Sequence, residues 1–228
     1  LSGDLPKLEY KEPEARMNSQ NDLVVSLNDI HYGACVDNYW RTYNSDICKE
    51  MFEKYLSKII EIGELHHSDN CYVMCNGDAV SGNIHYSIAV TNKENVIEQI
   101  TGVSELISLF LAELSKHFNK VIFLSVAGNH GRLNPNKDNT LISERIDDLI
   151  EWYAKARLQN YINIEFRPNA RIDSTMFVED IRGKTYVGVH GDYDGSAGKI
   201  QALQTMVGRP VYAVFLGHLH HNEIGTVQ

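Results

Sequence analysis

Five apolar, strand-length runs each hand over directly to a cluster of Asp, Asn or His, and this pattern narrows the possible folds most. Residues 23–27 lead into Asn28-Asp29-Ile30-His31, and residues 71–75 into Asn76-Gly77-Asp78. Residues 121–126 lead into Gly128-Asn129-His130, residues 185–189 into His190-Gly191-Asp192, and residues 211–216 into Gly217-His218-Leu219-His220. Short runs rich in Val, Ile, Leu and aromatic residues read as buried strands. Between them the period becomes helical. A helix is expected over residues 45–63, with Ser45 as N-cap and Gly63 near its end. A second spans 94–118, with Ile100, Val103, Ile107, Phe110, Leu111 and Leu114 on one core-facing stripe. Residues 141–158 and 196–207 read as two more helices, and 162–166 and 175–178 as further strands. The alternation predicts an α/β layered domain. In such domains ligands bind beyond the carboxyl ends of the strands, so five endings can meet in one crevice.

The residue types at those endings fit metal binding. Asp and Asn bring hard oxygen donors and neutral His brings nitrogen, a mixture that suits Mn, Fe, Zn or Ni better than Ca. Asp29 and His31 lie two apart, as do His218 and His220, and on an extended segment such pairs face one way. The glycines at 77, 128, 191 and 217 let the backbone turn sharply beside them.

The formal charge of −9 argues against a strongly basic face that grips duplex DNA by itself. It leaves a phosphate-cleaving site open, because metal-binding carboxylates count toward the deficit. No apolar run approaches the ~20 residues of a membrane span, and no signal segment opens the chain, so a cytoplasmic, soluble protein is expected. The cysteines Cys35, Cys48, Cys71 and Cys75 form no zinc or disulfide pattern and read as buried thiols. Residues 1–21 read as a linker or N-terminal arm and residues 22–228 as the catalytic domain. Because the chain starts at Leu1 and stops soon after the last cluster, it is expected to be a piece of a longer protein, truncated at the C-terminus.

The ordered set Asp29-Ile30-His31, Gly77-Asp78, Gly128-Asn129-His130, His190 and Gly217-His218-Leu219-His220 resembles the signature of the calcineurin-like metallophosphoesterases. One triplet alone is weak, but five in order across residues 24–220 are specific. The resemblance implies a two-sheet β-sandwich flanked by helices, a four-layer αββα arrangement. It implies one metal held by Asp29, His31, Asp78 and His220, and another by Asp78, Asn129, His190 and His218, with Asp78 between them. The ions would be Mn, with Fe, Zn, Mg and Ni as alternatives. Hydrolysis would proceed by a metal-held hydroxide, with His130 as the general acid. Relatives often place an acid directly after the Gly-Asn-His histidine, and this chain has Gly131, so Asp192 is considered as a substitute.

Arg132 is expected to contact substrate phosphate, and Tyr32 and Asp192 to line the pocket; for Arg132 a plain surface role is the competing reading. His85 reads as a rim residue, His66 and His67 as solvated, and His221 as turned away from the metals. Trp40 and Trp152 read as packing residues. Within the family, the arrangement is similar to the nuclease branch of DNA-repair exonucleases, which also occurs in phages. The expected function is therefore phosphodiester hydrolysis, with DNA as substrate, a possible homodimer and a nucleic-acid-binding module upstream. The alternatives are a phosphodiesterase or phosphatase acting on small nucleotides or phosphoproteins, and a scaffold without activity.

Overall fold

A computed structural model of the chain describes residues 5–13, 19–193, 197–220 and 224. Strand β1 (Leu23–Leu27) is followed by a short hairpin, β2 (Val36–Asp37) and β3 (Thr42–Tyr43), and by helix α1 (Ser45–Leu65). Then come β4 (Asn70–Asn76), the single turn α2 (Tyr86–Ala89), α3 (Val96–Leu114), β5 (Lys120–Val126), α4 (Asp148–Arg157) and β6 (Ile164–Phe166). The chain continues with β7 (Met176–Ile181), β8 (Lys184–Val189), α5 (Ala197–Val207) and β9 (Ala213–Leu216).

The fold is mixed α/β. A four-stranded parallel sheet has the order β1-β4-β5-β6, and a separate three-stranded sheet has the order β7-β8-β9. Parallel strands are covered on both faces, which is why the middles of β4 (residues 71–75) and β5 (residues 121–124) carry no charged or amide side chain. Alternate side chains sort by face. Cys71, Val73, Cys75, Val121 and Phe123 pack with Ile100, Val103, Ile107 and Leu111 of α3 and with Phe52 and Ile59 of α1. Met74, Ile122, Leu124 and Val126 point the other way, onto Phe177 and Ile181 of β7. The far side of the second sheet is covered by Leu203 of α5, against Met176, Val187 and Val189. Each such side chain removed from water contributes roughly 1.5–3 kcal/mol.

The expected elements shift where polar groups decide the ends. The N-cap of α1 is Asn44 rather than Ser45, because the Asn44 side chain accepts from the amides of Asp46 and Ile47. Helix α3 opens on a capping box between Asn95 and Glu98 and closes at Leu114. Helix α4 starts at Asp148, seven residues later than expected. Its forerunner is held elsewhere: the Ile146 amide donates to the Gly131 carbonyl at 2.9 Å, and Arg145 pairs with Arg132 as an isolated bridge. The packing roles expected for Trp40 and Trp152 are overturned. Trp40 is 87% exposed at the β2–β3 tip and Trp152 is 68% exposed. Cys48, Cys71 and Cys75 are buried, whereas Cys35 is exposed.

In the N-terminal arm, Leu8 and Tyr10 pack against the helix-side core, and the Tyr10 ring meets Tyr161 edge-on at 5.6 Å. The Arg157 guanidinium donates to the Pro6 carbonyl. Residues 1–4 and 14–18 of the expected arm, residue 196 of the expected helix, and His221 lie outside the described residues. Among the described residues no helix is long and apolar enough to cross a membrane.

Candidate metal centre

The carboxyl ends of β1, β4 and β5 lie side by side, because these strands are parallel neighbours. The ends of β8 and β9 join them from the second sheet. The Asn28 side chain donates to the Leu216 carbonyl at 3.1 Å, and the His218 amide donates to both carboxylate oxygens of Asp29 at 2.9 Å. The loops approach so closely that a Cβ on Gly77 would lie 2.6 Å from the Gly128 nitrogen and 2.8 Å from His190 Nδ1. Glycine is required there by space as well as by its φ of 87°.

All seven expected ligands gather at these loops. Asp29, His31 and His220 form one group of converging donor atoms, and Asp78, His190 and His218 form another. In the first group His31 Nε2 lies 3.2 Å from His220 Nε2, and His220 Nε2 lies 3.5 Å from Asp29 Oδ1. In the second, His190 Nε2 lies 3.0 Å from Asn129 Oδ1 and 3.2 Å from Asp78 Oδ2. Asp78 Oδ2 is also 3.9 Å from His31 Nε2, so this oxygen lies between the two groups. Donors bound at about 2.1 Å to one cation stand roughly 3.0–3.4 Å apart by simple geometry; the His31–His220, His190–Asn129 and His190–Asp78 separations of 3.2, 3.0 and 3.2 Å fall in that range, while Asp29 Oδ1 stands farther off, 3.9 Å from His31 Nε2 and 3.5 Å from His220 Nε2.

The donor atoms at the centre of the cluster can take a cation or share protons. His190 Nδ1 faces the Asn76 carbonyl at 2.9 Å and must donate to it. In the neutral ring, Nε2 then presents a lone pair to two more oxygen lone pairs. While His190 is neutral in this way, the buried Asp78 Oδ2 has no hydrogen-bond donor. Without metal the cluster shares protons instead. Burial opposes charge on His190, but the Asp78 carboxylate prevails and lifts it to about 9. Burial likewise resists charge on Asp78, yet the bond from His190 and the neighbouring histidines hold it down at about 2. Burial lowers His31 to about 4 and also lowers His218, which favours the neutral imidazole at both. Burial raises Asp29, against the pull of the His218 amide.

Backbone strain collects at the same residues. Among the described residues seven non-glycine positions have positive φ, and five are Asp29 (48°), His31 (47°), Asp78 (52°), His218 (67°) and His220 (52°). Left-handed backbone costs an ordinary residue about 1–2 kcal/mol. Such strain, held by packing, clusters at functional sites.

His130 stands at the lip, with its ring 4.6 Å from that of His31. Its amide donates to Asp78 Oδ1 at 2.8 Å, and its Nδ1 donates to the Ser81 carbonyl at 2.6 Å. A backbone carbonyl therefore orients the ring. Asp192 does not take that part: it faces His190 and His218 electrostatically, with Lys137 Nζ 4.0 Å from its Oδ2. Tyr32 is withdrawn from the expected pocket lining. It is 6% exposed, and its ring packs against Gly102 of α3. Arg132 is buried, not on the surface, and its Nε donates to the Asn129 carbonyl at 3.0 Å. His85 is exposed, with its ring 5.4 Å from His130.

Sequence reasoning missed Asp147. Its Oδ1 accepts the Ala79 amide at 3.2 Å, it is hydrogen-bonded to Gly128, and Oδ2 sits where a Cβ on Gly131 would fall. A carboxylate from just before α4 thus fills the space beside Gly131 and ties the loop of Asp78 to that of Asn129. No local signal in the sequence marks it, since Asp147 lies inside an apparent helix.

No family model matches the chain. It is similar to the SPbeta prophage-derived uncharacterized protein YonJ of Bacillus subtilis (strain 168), with 24% identity over 233 aligned positions. The match covers 99% of this chain and 56% of that protein, so the chain spans about half the length of this relative.

Proposed function

We propose that the chain is a two-metal phosphoesterase of the calcineurin-like kind that hydrolyses phosphodiester bonds, with a DNA strand as substrate. The observation that carries this reading is the position of Asp78 Oδ2, buried between His190 Nε2 at 3.2 Å and His31 Nε2 at 3.9 Å and without a donor while His190 is neutral. Helices, a four-stranded sheet, a three-stranded sheet and α5 packed in succession are consistent with the αββα sandwich of that family.

Asp29, His31, Asp78 and His220 would hold one divalent cation, and Asp78, Asn129, His190 and His218 the other. Their mixed nitrogen and oxygen donors suit Mn. Two such ions, when bound, supply Lewis acidity toward the phosphoryl oxygens and acidify water. Asp78 and the Asn76 carbonyl fix the His190 ring, and the strained loops keep the ligand atoms aimed inward. His130, anchored at Nδ1 by Ser81, has Nε2 free to hand a proton to the departing alkoxide.

A nucleic-acid substrate is favoured by the β2–β3 tip. Tyr39 and Trp40 are 92% and 87% exposed, with Arg41 beside them. The hairpin is fastened to the metal loop, because the Tyr43 hydroxyl donates to the carbonyl of Ile30, between Asp29 and His31. Exposed aromatics next to a phosphate site are stacking surfaces for bases. The relative's prophage origin agrees with a phage nuclease.

The test is a Mn-supplemented assay on single- and double-stranded DNA beside cyclic nucleotides, with Asp78→Ala and His130→Ala as controls. DNA cleavage that Asp78→Ala abolishes is expected. Intact DNA alongside opened cyclic nucleotides would rule out the nuclease reading.

A further inference from the structure

Beside the metal centre, two arginines are buried without a counter-ion. Arg132 and Arg145 are each 7% exposed, and among the described residues neither forms an ion pair. Arginine cannot shed its charge, and a buried charge without a partner is costly. Arg145 spends its guanidinium on the structure: Nε donates to the Ile142 carbonyl at 3.2 Å and Nη1 to the Gly128 carbonyl at 3.4 Å. Arg132 gives only Nε to Asn129, and its Nη1 is buried with no acceptor.

Its surroundings explain what that atom awaits. His85 resists protonation first through burial and then through the charges of His130 and Arg132, so both charges are felt at its ring. The His85 ring is 5.4 Å from His130, whose ring is 4.6 Å from His31. Imidazole rings therefore lead outward from the candidate ligands through His130 to His85, where the Arg132 charge is felt. His85 is two ring contacts out from the candidate ligand His31, through His130, so an anion held at His85 is a different group from one at the ligand cluster.

We propose that Arg132, with His85, forms a subsite for a second phosphoryl group of the substrate, next along the chain from the one at the metal centre. This rests on the phosphodiesterase reading above and specifies its substrate: a molecule with at least two phosphates, the neighbouring phosphodiester of a strand. A guanidinium fork matches phosphate in geometry as well as charge.

Two p-nitrophenyl esters test it with Mn present: thymidine 5′-(p-nitrophenyl phosphate), with one phosphate, and the same ester carrying a 3′-phosphate. In each, water adds to phosphorus, the P–O(aryl) bond breaks, and p-nitrophenolate leaves with thymidine 5′-phosphate or its 3′-phosphorylated form. The wild type is expected to show kcat/KM about tenfold to a hundredfold higher for the two-phosphate ester. Arg132→Gln should bring that ratio close to one, whatever it does to either rate alone. Arg132→Lys, which keeps the charge and loses the fork, should give an intermediate ratio. A strut for the Asn129 loop would lower both rates together and preserve the ratio. A wild-type ratio near one, or a ratio unchanged in Arg132→Gln, overturns the subsite while leaving the phosphodiesterase reading intact. If the wild type cleaves neither ester, that reading fails. The subsite is then judged by 31P NMR titration of chelator-treated protein with inorganic phosphate. Binding that weakens about tenfold or more in Arg132→Gln supports it, and equal or absent binding overturns it.

Discussion

His190 Nε2 lies 3.2 Å from Asp78 Oδ2, while the Nδ1 of the same ring is committed to the Asn76 carbonyl at 2.9 Å. In the metal-free protein the gap between Nε2 and Oδ2 holds a proton, since His190 is raised to about 9. A divalent cation must displace that proton. Metal affinity should therefore climb as pH rises toward 9, and binding at pH 7 should release about one proton from this ring. Calorimetric titration with Mn in buffers of different ionisation enthalpy reads the release directly. Heats independent of the buffer would show that no proton is displaced and would remove the cation from this gap. Asp78→Ala is expected to abolish binding of both ions, because its Oδ2 faces both groups.

Gly131 and Asp147 are matched by volume. A methyl group on residue 131 would fall on the Asp147 carboxylate, which has no room to retreat, because it is held by the Ala79 amide and by Gly128. Gly131→Ala should cost about 1–3 kcal/mol by overpacking and should loosen the Asp78 and Asn129 loops together. Urea unfolding and Mn retention on gel filtration measure the two effects. A stable variant that retains metal would mean that the clamp is slack.

These particulars show what the sequence could and could not disclose. Strands β4 and β5 were legible because a parallel strand covered on both faces is apolar over a continuous run, here residues 71–75 and 121–124. The converging Asp, Asn and His side chains were legible because each follows such a run within a few residues. The β2–β3 hairpin was not, since its strands are two residues long and its aromatics face water. The start of α4 was misread because residues 141–147 have helical spacing but are drawn onto Gly131 and Arg132. Asp147 was invisible for a related reason: its partners Ala79 and Gly128 are distant in sequence, and only the fold brings their amides to it.

Asp147 also gives a pH dependence. Burial, reinforced by the Asp78 charge, raises its carboxyl to about 7, from an ordinary value near ~3.9. The folded state thus disfavours the ionised form. The contribution to stability is complete below about pH 4 and is lost as pH rises through about 7. Three units correspond to about 4 kcal/mol. In chelator-treated protein, urea midpoints across that window should fall more steeply for the wild type than for Asp147→Asn, which cannot ionise. Parallel curves would place the titration elsewhere.

Trp40 separates a binding role from a structural one. With 87% of its surface in water it contributes little packing, so Trp40→Ala should change stability by less than about 0.5 kcal/mol. Phe177 is the contrast. Its ring is fully buried between the sheets, against a glycine at 188 whose Cβ would strike it, and Phe177→Ala should cost about 3–5 kcal/mol. If the exposed ring instead stacks on bases, single-stranded oligonucleotide should quench Trp40 emission, and Trp40→Ala should weaken oligonucleotide binding without shifting the thermal midpoint. A stacked base contributes about 1–3 kcal/mol, so the loss in affinity should lie between about fivefold and a hundredfold. A variant that melts early would return Trp40 to the core. A variant that binds unchanged would leave the hairpin tip outside the nucleic-acid path.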